Sequence, residues 1–234
     1  MVAASRRFVI AGLGNYPYPL TRHSIGQILL KALARKAASL PHSSGIPHLK
    51  LDSSKHVWST IVTVHSQNAA SAQGGGCLPF ELMFCLPKRL MNICGPVIVE
   101  ASKSFLGSSA SASMVHSKSR VDGWKILTLQ DDLDLKPGSF KIQRGGSPRG
   151  HNGVRSVEGA LGNRAFNRIR LGIGRPENKA EVASYVLEPL GRDEVQNIDW
   201  DEGTQRGGEL VEQVWLDVMR IAQEHASNKP STST

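Results

Sequence analysis

An α/β domain with a mixed, twisted β-sheet flanked by helices is the fold this sequence predicts, from three observations. A short apolar strand, Phe8 to Ala11, runs straight into a glycine turn and then an amphipathic helix, the strand–turn–helix opening of α/β architectures. Further apolar strands alternate with helical stretches along the rest of the chain. No run approaches the roughly 18 to 20 apolar residues of a membrane span, so the apolar segments are expected to fill one soluble core. At 234 residues with 40% hydrophobic content, one domain is expected over residues 1–234.

The helix after the first turn spans Ser24 to Leu40, with Ile25, Ile28, Leu29, Ala32 and Leu33 on its apolar face and Lys31, Arg35 and Lys36 largely away from it. Pro41 to Lys55 fades into loop, and His56 to His65 resumes as strand. Residues 66–78 are rich in Gly, Ala and Ser and have no packing residues to speak of, so they are expected to be a flexible insert. A strand from Glu81 to Leu86 leads through KRLMNICG to a helix from about Pro96 to Leu106, and 107–120 forms a second low-complexity insert. Beyond Gly153, Val154, Val157, Ala160 and Leu161 recur at helical spacing, and RIRLGIGRP supplies another strand. A long helix over Glu209 to Glu224 closes the domain, and 227–234 is expected to be a disordered tail.

Charge narrows the partners. Lys and Arg number 28 against 20 Asp and Glu, a net +8 with a pI near 9.6, which favours a polyanion, most commonly nucleic acid. Cys77, Cys85 and Cys94 form no metal-ligand spacing and no even set, so reduced, non-catalytic thiols are expected. No signal-peptide pattern is present, and an intracellular location is expected.

The most informative stretch is Ile126 to Gly153. It starts as a strand, passes Asp131, Asp132 and Asp134, crosses a second strand around Phe140 to Ile142, and ends in a basic glycine loop with His151 and Asn152. A short hairpin-like path is expected to bring carboxylates and cations together, which is unfavourable unless a site needs it. Two more polar clusters also follow strands: GLGN with Tyr18, Thr21, Arg22 and His23, and Met91 with Asn92. In open α/β sheets such loops converge at strand ends.

Several chemistries fail on pattern. GLGN lacks the third glycine of a dinucleotide loop, because Pro17 stands there. No G-x-S-x-G elbow exists, and His23, His151 and the carboxylates lack a metal-binding signature, so neither metal nor cofactor is expected. What remains is a histidine, a carboxylate and several amides. A histidine held in one tautomer by an aspartate can deprotonate water, and amide N–H groups can stabilise the oxyanion of an ester carbonyl.

GLGN, TRH, MN, DDLDLKPG, GGSPRGHNG and RIRLGIGRP occur in the order and at the spacings of one family: the chain resembles the bacterial-type peptidyl-tRNA hydrolases and is similar to fungal or other eukaryotic members. The resemblance covers Phe8 to Leu187 outside the two inserts. It implies cleavage of the ester between a peptide and the tRNA 3′ ribose, with peptidyl-tRNA as partner, by a monomer that does not bind membranes. It further implies His23 as general base, Asp131 as its orienting carboxylate, Asn15 as reader of the blocked amino group, and Asn92 as the amide positioning water or the carbonyl. Asn152 matches the amide near the 3′ end, Tyr18 the tRNA-contacting tyrosine, and Lys141 and Arg170 positions linked to tRNA phosphates.

The departures from the family pattern are YP after Asn15, Leu90 in a substrate-lining place usually aromatic, Ser24 in one often Asn, and Gln143 in place of a basic clamp residue. Arg144 or Arg149 could supply that charge instead. Some plant relatives act in intron splicing, so a non-catalytic RNA-binding module is the alternative. Mitochondrion and cytosol are both open, with the mitochondrion favoured by the resemblance to eukaryotic members.

Overall fold

The computed structural model describes residues 6–65, 79–107, 121–204 and 206–226. The expected inserts and tail therefore lie outside the described residues, apart from Gly107, which closes a helix.

Strands β1 (Arg6–Gly12), β5 (Phe80–Pro87), β6 (Ile126–Asp132) and β8 (Asn167–Gly172) form a parallel centre in the order β5-β1-β6-β8. Antiparallel strands flank it. β4 (Val57–Val64) pairs with β5, and β7 (Phe140–Arg144) pairs with β8. Two very short strands, β2 (Ser44–Gly45) and β3 (Lys50–Asp52), join β4 where a loop was expected. At two and three residues they are too short to show an apolar period.

The central strands are buried on both faces, as parallel strands are. Phe8 and Ile10 point into one core with Leu127, Leu129, Ile169 and Leu171, covered by α1 (Ile25–Ser39) and α6 (Glu209–Ala226). Val9 and Ala11 point into the other, covered by α2 (Gly95–Leu106) and α3 (Asn152–Leu161). The region before α6 was not anticipated. It holds short helices α4 (Val182–Tyr185) and α5 (Arg192–Ile198) and a small hairpin of β9 (Trp200–Asp201) with β10 (Arg206–Gly207), whose Ile198 and Trp200 extend the first core.

One expectation about topology is corrected. β6 and β7 are not neighbours, because β8 lies between them. The acidic end of β6 and the basic loop after β7 meet because that loop folds back to start α3, not because two strands form a hairpin.

Parallel direction places the carboxyl ends of β1, β5, β6 and β8 at one edge, where Asp131 ends β6 and Asn15, Met91 and Arg175 follow their strands. A close approach fixes the depth of α1 against that edge. A Cβ on Gly26 would lie 2.2 Å from the Leu129 carbonyl oxygen, so only glycine lets the helix start so near β6.

Candidate active site

Alternation along β6 explains how Asp131 is aimed. Leu127 and Leu129 face α1, so Asp131, two residues on, faces the same side just beyond the last apolar layer. There the 3-10 turn Arg22–Ser24 precedes α1. The backbone N–H of His23 donates to the Val186 carbonyl at 2.8 Å, and that of Arg22 to the Glu188 carbonyl, so the segment after α4 pins the turn.

His23 Nδ1 lies 2.8 Å from Asp131 Oδ1. The carboxylate is an acceptor, so Nδ1 carries the proton and Nε2 keeps its lone pair. Burial by itself would lower the His23 pKa. The hydrogen bond and charge of Asp131 outweigh it, and the pKa is raised above the ordinary 6.5.

The sequence left His151 out of the site, yet its Nε2 lies 2.9 Å from the same Asp131 oxygen. Its Nδ1 accepts the backbone N–H groups of Gly153 and Val154 at 3.1 and 3.3 Å, so His151 is the N-cap of α3. An acceptor Nδ1 and a donor Nε2 define one neutral tautomer. Burial would push the Asp131 carboxyl up, but the electrostatic pull and hydrogen bond of His151, then those of His23, hold it well below the usual carboxylate range. One buried oxygen thus holds two imidazoles, whose ring centroids are 5.1 Å apart. The signal available in the sequence was the GHNG dipeptide-and-turn at the start of a helical period, a capping position.

These three side chains are also the group among the described residues best placed to hold a metal ion, with ligand atoms within 4.8 Å of one another. In this arrangement both histidines point N–H groups at the carboxylate, the geometry of proton handling.

The amides lie on the loops that follow β1 and β5 and at the start of α3. Asn15 Oδ1 accepts the Met91 backbone N–H at 2.8 Å, which leaves Asn15 Nδ2 as the donor. Ser24, wholly buried, accepts the Asn15 N–H at 3.0 Å and donates to the Tyr18 carbonyl at 2.7 Å, knitting the turn from Asn15 to Tyr18. Asn92 is exposed in the 3-10 turn Met91–Ile93, which packs on the start of α3. Tyr18 and Leu90 are exposed large side chains on the loops beside Asn15 and Asn92.

His23, Asp131 and Asn152 line a cleft of about 510 Å³ together with Arg149, Arg168, Arg170, Arg175 and Lys179. Most of these cations are paired. Arg170 meets Asp132 at 2.5 Å, and Asp134 receives Arg149 at 2.9 Å and Arg175 at 2.7 Å. Arg149 adopts φ 51°, a left-handed conformation that turns the loop towards α3. Lys141 is exposed on β7, directly opposite Arg170 in register.

The structure also places Gln143 and the residue that was to substitute for its missing charge, Arg144. Gln143 donates to the Gly145 carbonyl, so it braces its own loop. Arg144 is not brought to the cleft. It faces the α6 side of the sheet and pairs with Glu224, at the Asn167 end of β8, away from the triad. Arg168, which the sequence did not single out, is 1% exposed and donates to the Ser147 and Gly145 carbonyls from beneath the loop. Burial, with Arg170 nearby, pushes its pKa down to about 10, so it stays charged at neutral pH, and among the described residues no carboxylate pairs with it.

Among the described residues the two cysteines, Cys85 and Cys94, are buried and unpaired. Burial pushes the Cys85 and Cys94 thiols up to about 12.

The profile of one family, described as peptidyl-tRNA hydrolase, matches residues 9–233. A peptidyl-tRNA hydrolase of Acidithiobacillus ferrooxidans is 34% identical over 182 residues, 77% of this chain and 78% of that protein. One of Rickettsia canadensis is 31% identical over 198 residues, 82% of this chain and 87% of that protein. Among solved structures, the peptidyl-tRNA hydrolase of Acinetobacter baumannii superimposes with a TM-score of 0.64 at 25% identity, covering 94% of this chain and 91% of that one.

Proposed function

Because the chain belongs to the peptidyl-tRNA hydrolase family, we propose that its cleft cleaves the ester between peptide and tRNA 3′ ribose with His23 as the base and Asp131 as its orienting carboxylate. The activity itself is that of the family, hydrolysis of peptidyl-tRNA by a carboxylic ester hydrolase. The residue roles are our reading. The observation that carries them is the 2.8 Å contact between His23 Nδ1 and Asp131, which leaves Nε2 unprotonated towards the cleft.

In this mechanism Nε2 takes a proton from water as the oxygen attacks the ester carbonyl carbon. Asp131 stabilises the imidazolium that forms, and Asn92 and Asn152 donate N–H groups to the developing oxyanion. Collapse breaks the bond to the ribose 3′ oxygen, which takes the proton back from His23. The products are the peptide acid and free tRNA.

Asn15 supplies the selectivity. With its oxygen committed to Met91 N–H, its NH2 is offered to the cleft. An acylated amino group brings a carbonyl to accept that donor. A free α-ammonium brings only donors and a positive charge, and is repelled.

Lys141, Arg149 and Arg170, with Arg175 and Lys179, are assigned to the tRNA phosphates, and Tyr18 and Leu90 to the tRNA 3′ end. Monomeric action and a mitochondrial or cytosolic location, the mitochondrion favoured, belong to the same proposal. Light scattering and imaging of the tagged protein test them.

The deciding assay follows release from N-acetylaminoacyl-tRNA and from unblocked aminoacyl-tRNA. Cleavage of the first alone is expected, with a loss of about 10²- to 10⁴-fold in kcat for His23→Ala. Equal rates for the wild type and this variant would remove His23 from its role.

A further inference from the structure

The loop between β7 and α3 delivers Arg149, His151 and Asn152 to the cleft. Its backbone is left-handed at Gly145, Gly146, Arg149 and Gly150, with φ of 58°, 78°, 51° and 86°, so it belongs to no helix or strand ladder. Two backbone hydrogen bonds of 2.9 Å tie it near its ends, from Gly145 N–H to the Phe166 carbonyl and from His151 N–H to the Pro148 carbonyl. The carbonyls of Gly145 and Ser147 are held by side chains from the sheet. Gln143 Nε2 donates to Gly145 at 3.1 Å, Arg168 Nη2 donates to the same carbonyl, and Arg168 Nη1 donates to Ser147 at 2.9 Å. Arg168 and Gln143 are direct neighbours across β8 and β7, and the Phe166 ring lies 5.8 Å from the guanidinium carbon.

We propose that Arg168 is a positioning residue for the hydrolysis: by gripping the Gly145 and Ser147 carbonyls it sets the depth of the loop, so that His151 reaches Asp131 and Asn152 faces the cleft. The proposal rests on the function assigned above to the His23 cleft. Burying a guanidinium carries a desolvation penalty that an apolar residue would avoid, so stability alone is a poor reason for an arginine here. Its planar fork can hold two carbonyls at once with charge-assisted bonds, which neither a lysine nor an apolar side chain can do. Buried, with Nη1 and Nη2 both engaged by the loop, Arg168 is arranged to hold backbone, unlike the exposed Lys141. The loop it holds ends at His151, whose Nε2 lies 2.9 Å from Asp131, the carboxylate that orients His23.

The test measures kcat and KM separately for N-acetylaminoacyl-tRNA, per folded molecule, in the wild type, Arg168→Met, Arg168→Lys, Gly146→Ala and the double variant of Arg168→Met with Gly146→Ala. Gly146 is exposed, and a Cβ there would lie 2.8 Å from Gln143 Nε2 and 3.4 Å from Arg168 Nη2, so the alanine lifts the loop without touching the core. Arg168→Met should lower kcat by about 10²-fold and leave KM near the wild-type value. Arg168→Lys, which keeps the charge and reaches one carbonyl, should recover part of that loss. Gly146→Ala should lower kcat by about tenfold. The double variant should lose less than the product of the two single losses, because both act through the same displaced loop.

A fall in Tm with kcat retained in Arg168→Met overturns the proposal and leaves Arg168 a residue of the fold. A raised KM with unchanged kcat does so too, and marks a substrate phosphate contact. Multiplicative losses in the double variant also overturn it. Should Arg168→Met fail to fold, a wild-type kcat in both Gly146→Ala and Arg168→Lys is sufficient to reject it. Equal rates for the wild type and His23→Ala would remove the catalytic reading and this proposal with it, an outcome seen with the loop untouched and so distinguishable from the others.

Discussion

Two cavities meet at the segment from Asn15 to His23, and they are opposites. The cleft at His23 is ionic, with most of its charges held by partners: Arg170 on Asp132, Arg149 and Arg175 on Asp134, and two imidazoles on Asp131. The other, a cavity of about 650 Å³ along α1 lined by Tyr16, Pro19, Trp58 and Leu86 among others, is mainly apolar, and its one deeply buried polar group, the Gln27 amide nitrogen, is unpartnered. The contrast teaches that burial alone does not decide how a polar group is treated: the cleft gives its buried carboxylate two imidazoles, whereas the α1 cavity leaves its buried amide nitrogen unpartnered.

The sharpest way to break that contrast is Asp131→Asn. The amide oxygen can still accept both imidazole N–H groups, so the change removes charge more than geometry. The rate should fall by about two orders of magnitude. As the proposed base His23 has to be neutral, and its pKa is raised above 6.5 because Asp131 outweighs burial. In the wild type the rate should therefore rise with pH through a limb above 6.5, and Asp131→Asn should move the limb to lower pH. A pH profile that does not move would detach Asp131 from the base.

His151→Ala comes next. It removes the cap of α3 and one of the two N–H groups on Asp131, and should lower stability by about 1–2 kcal/mol, read as a fall in Tm. Asp131 has a folded pKa below its ordinary 3.8, so its contribution is present in full above that value and is lost as pH falls through the folded pKa. The gap in Tm between variant and wild type should accordingly narrow on acidification. A gap constant with pH would leave capping as the sole role of His151.

The smallest effect belongs to Lys141→Ala. Binding should weaken several-fold at low salt and the slope of log affinity against log salt should fall by about 1. An unchanged slope would exclude Lys141 from the phosphate path.

The sequence made the catalytic side of this comparison visible and hid the other. His23 and Asp131 sit in short polar motifs at the ends of apolar strands, so strand order gathered the motifs at one edge, and the resemblance to the family singled out the pair. His151 carried no periodic signature, since its role depends on a helix start folding back over β6. Arg168 occupies a strand whose two faces are both buried, where a lone arginine has no local meaning until the carbonyls above it are seen. The facing of Arg144 was not legible for a related reason: residues one apart on a strand face opposite sides, and the basic run near the loop gave no facing. The α1 cavity draws Tyr16, Gln27, Pro47 and Trp58 from four separate segments, none of which forms a motif.

The oxygen shared by His23 and His151 also sets when activity can arise as the chain is made. One imidazole comes from residue 23, the carboxylate from 131 and the second imidazole from 151, while β8, which pairs with β6 along its length, ends only at Gly172. No amino-terminal fragment that stops short of His151 can hold the complete triad, and none that stops short of β8 closes the sheet around Asp131. A ribosome translating this chain has therefore joined at least 172 of its 234 residues before the product can attack the bond by which it is itself attached.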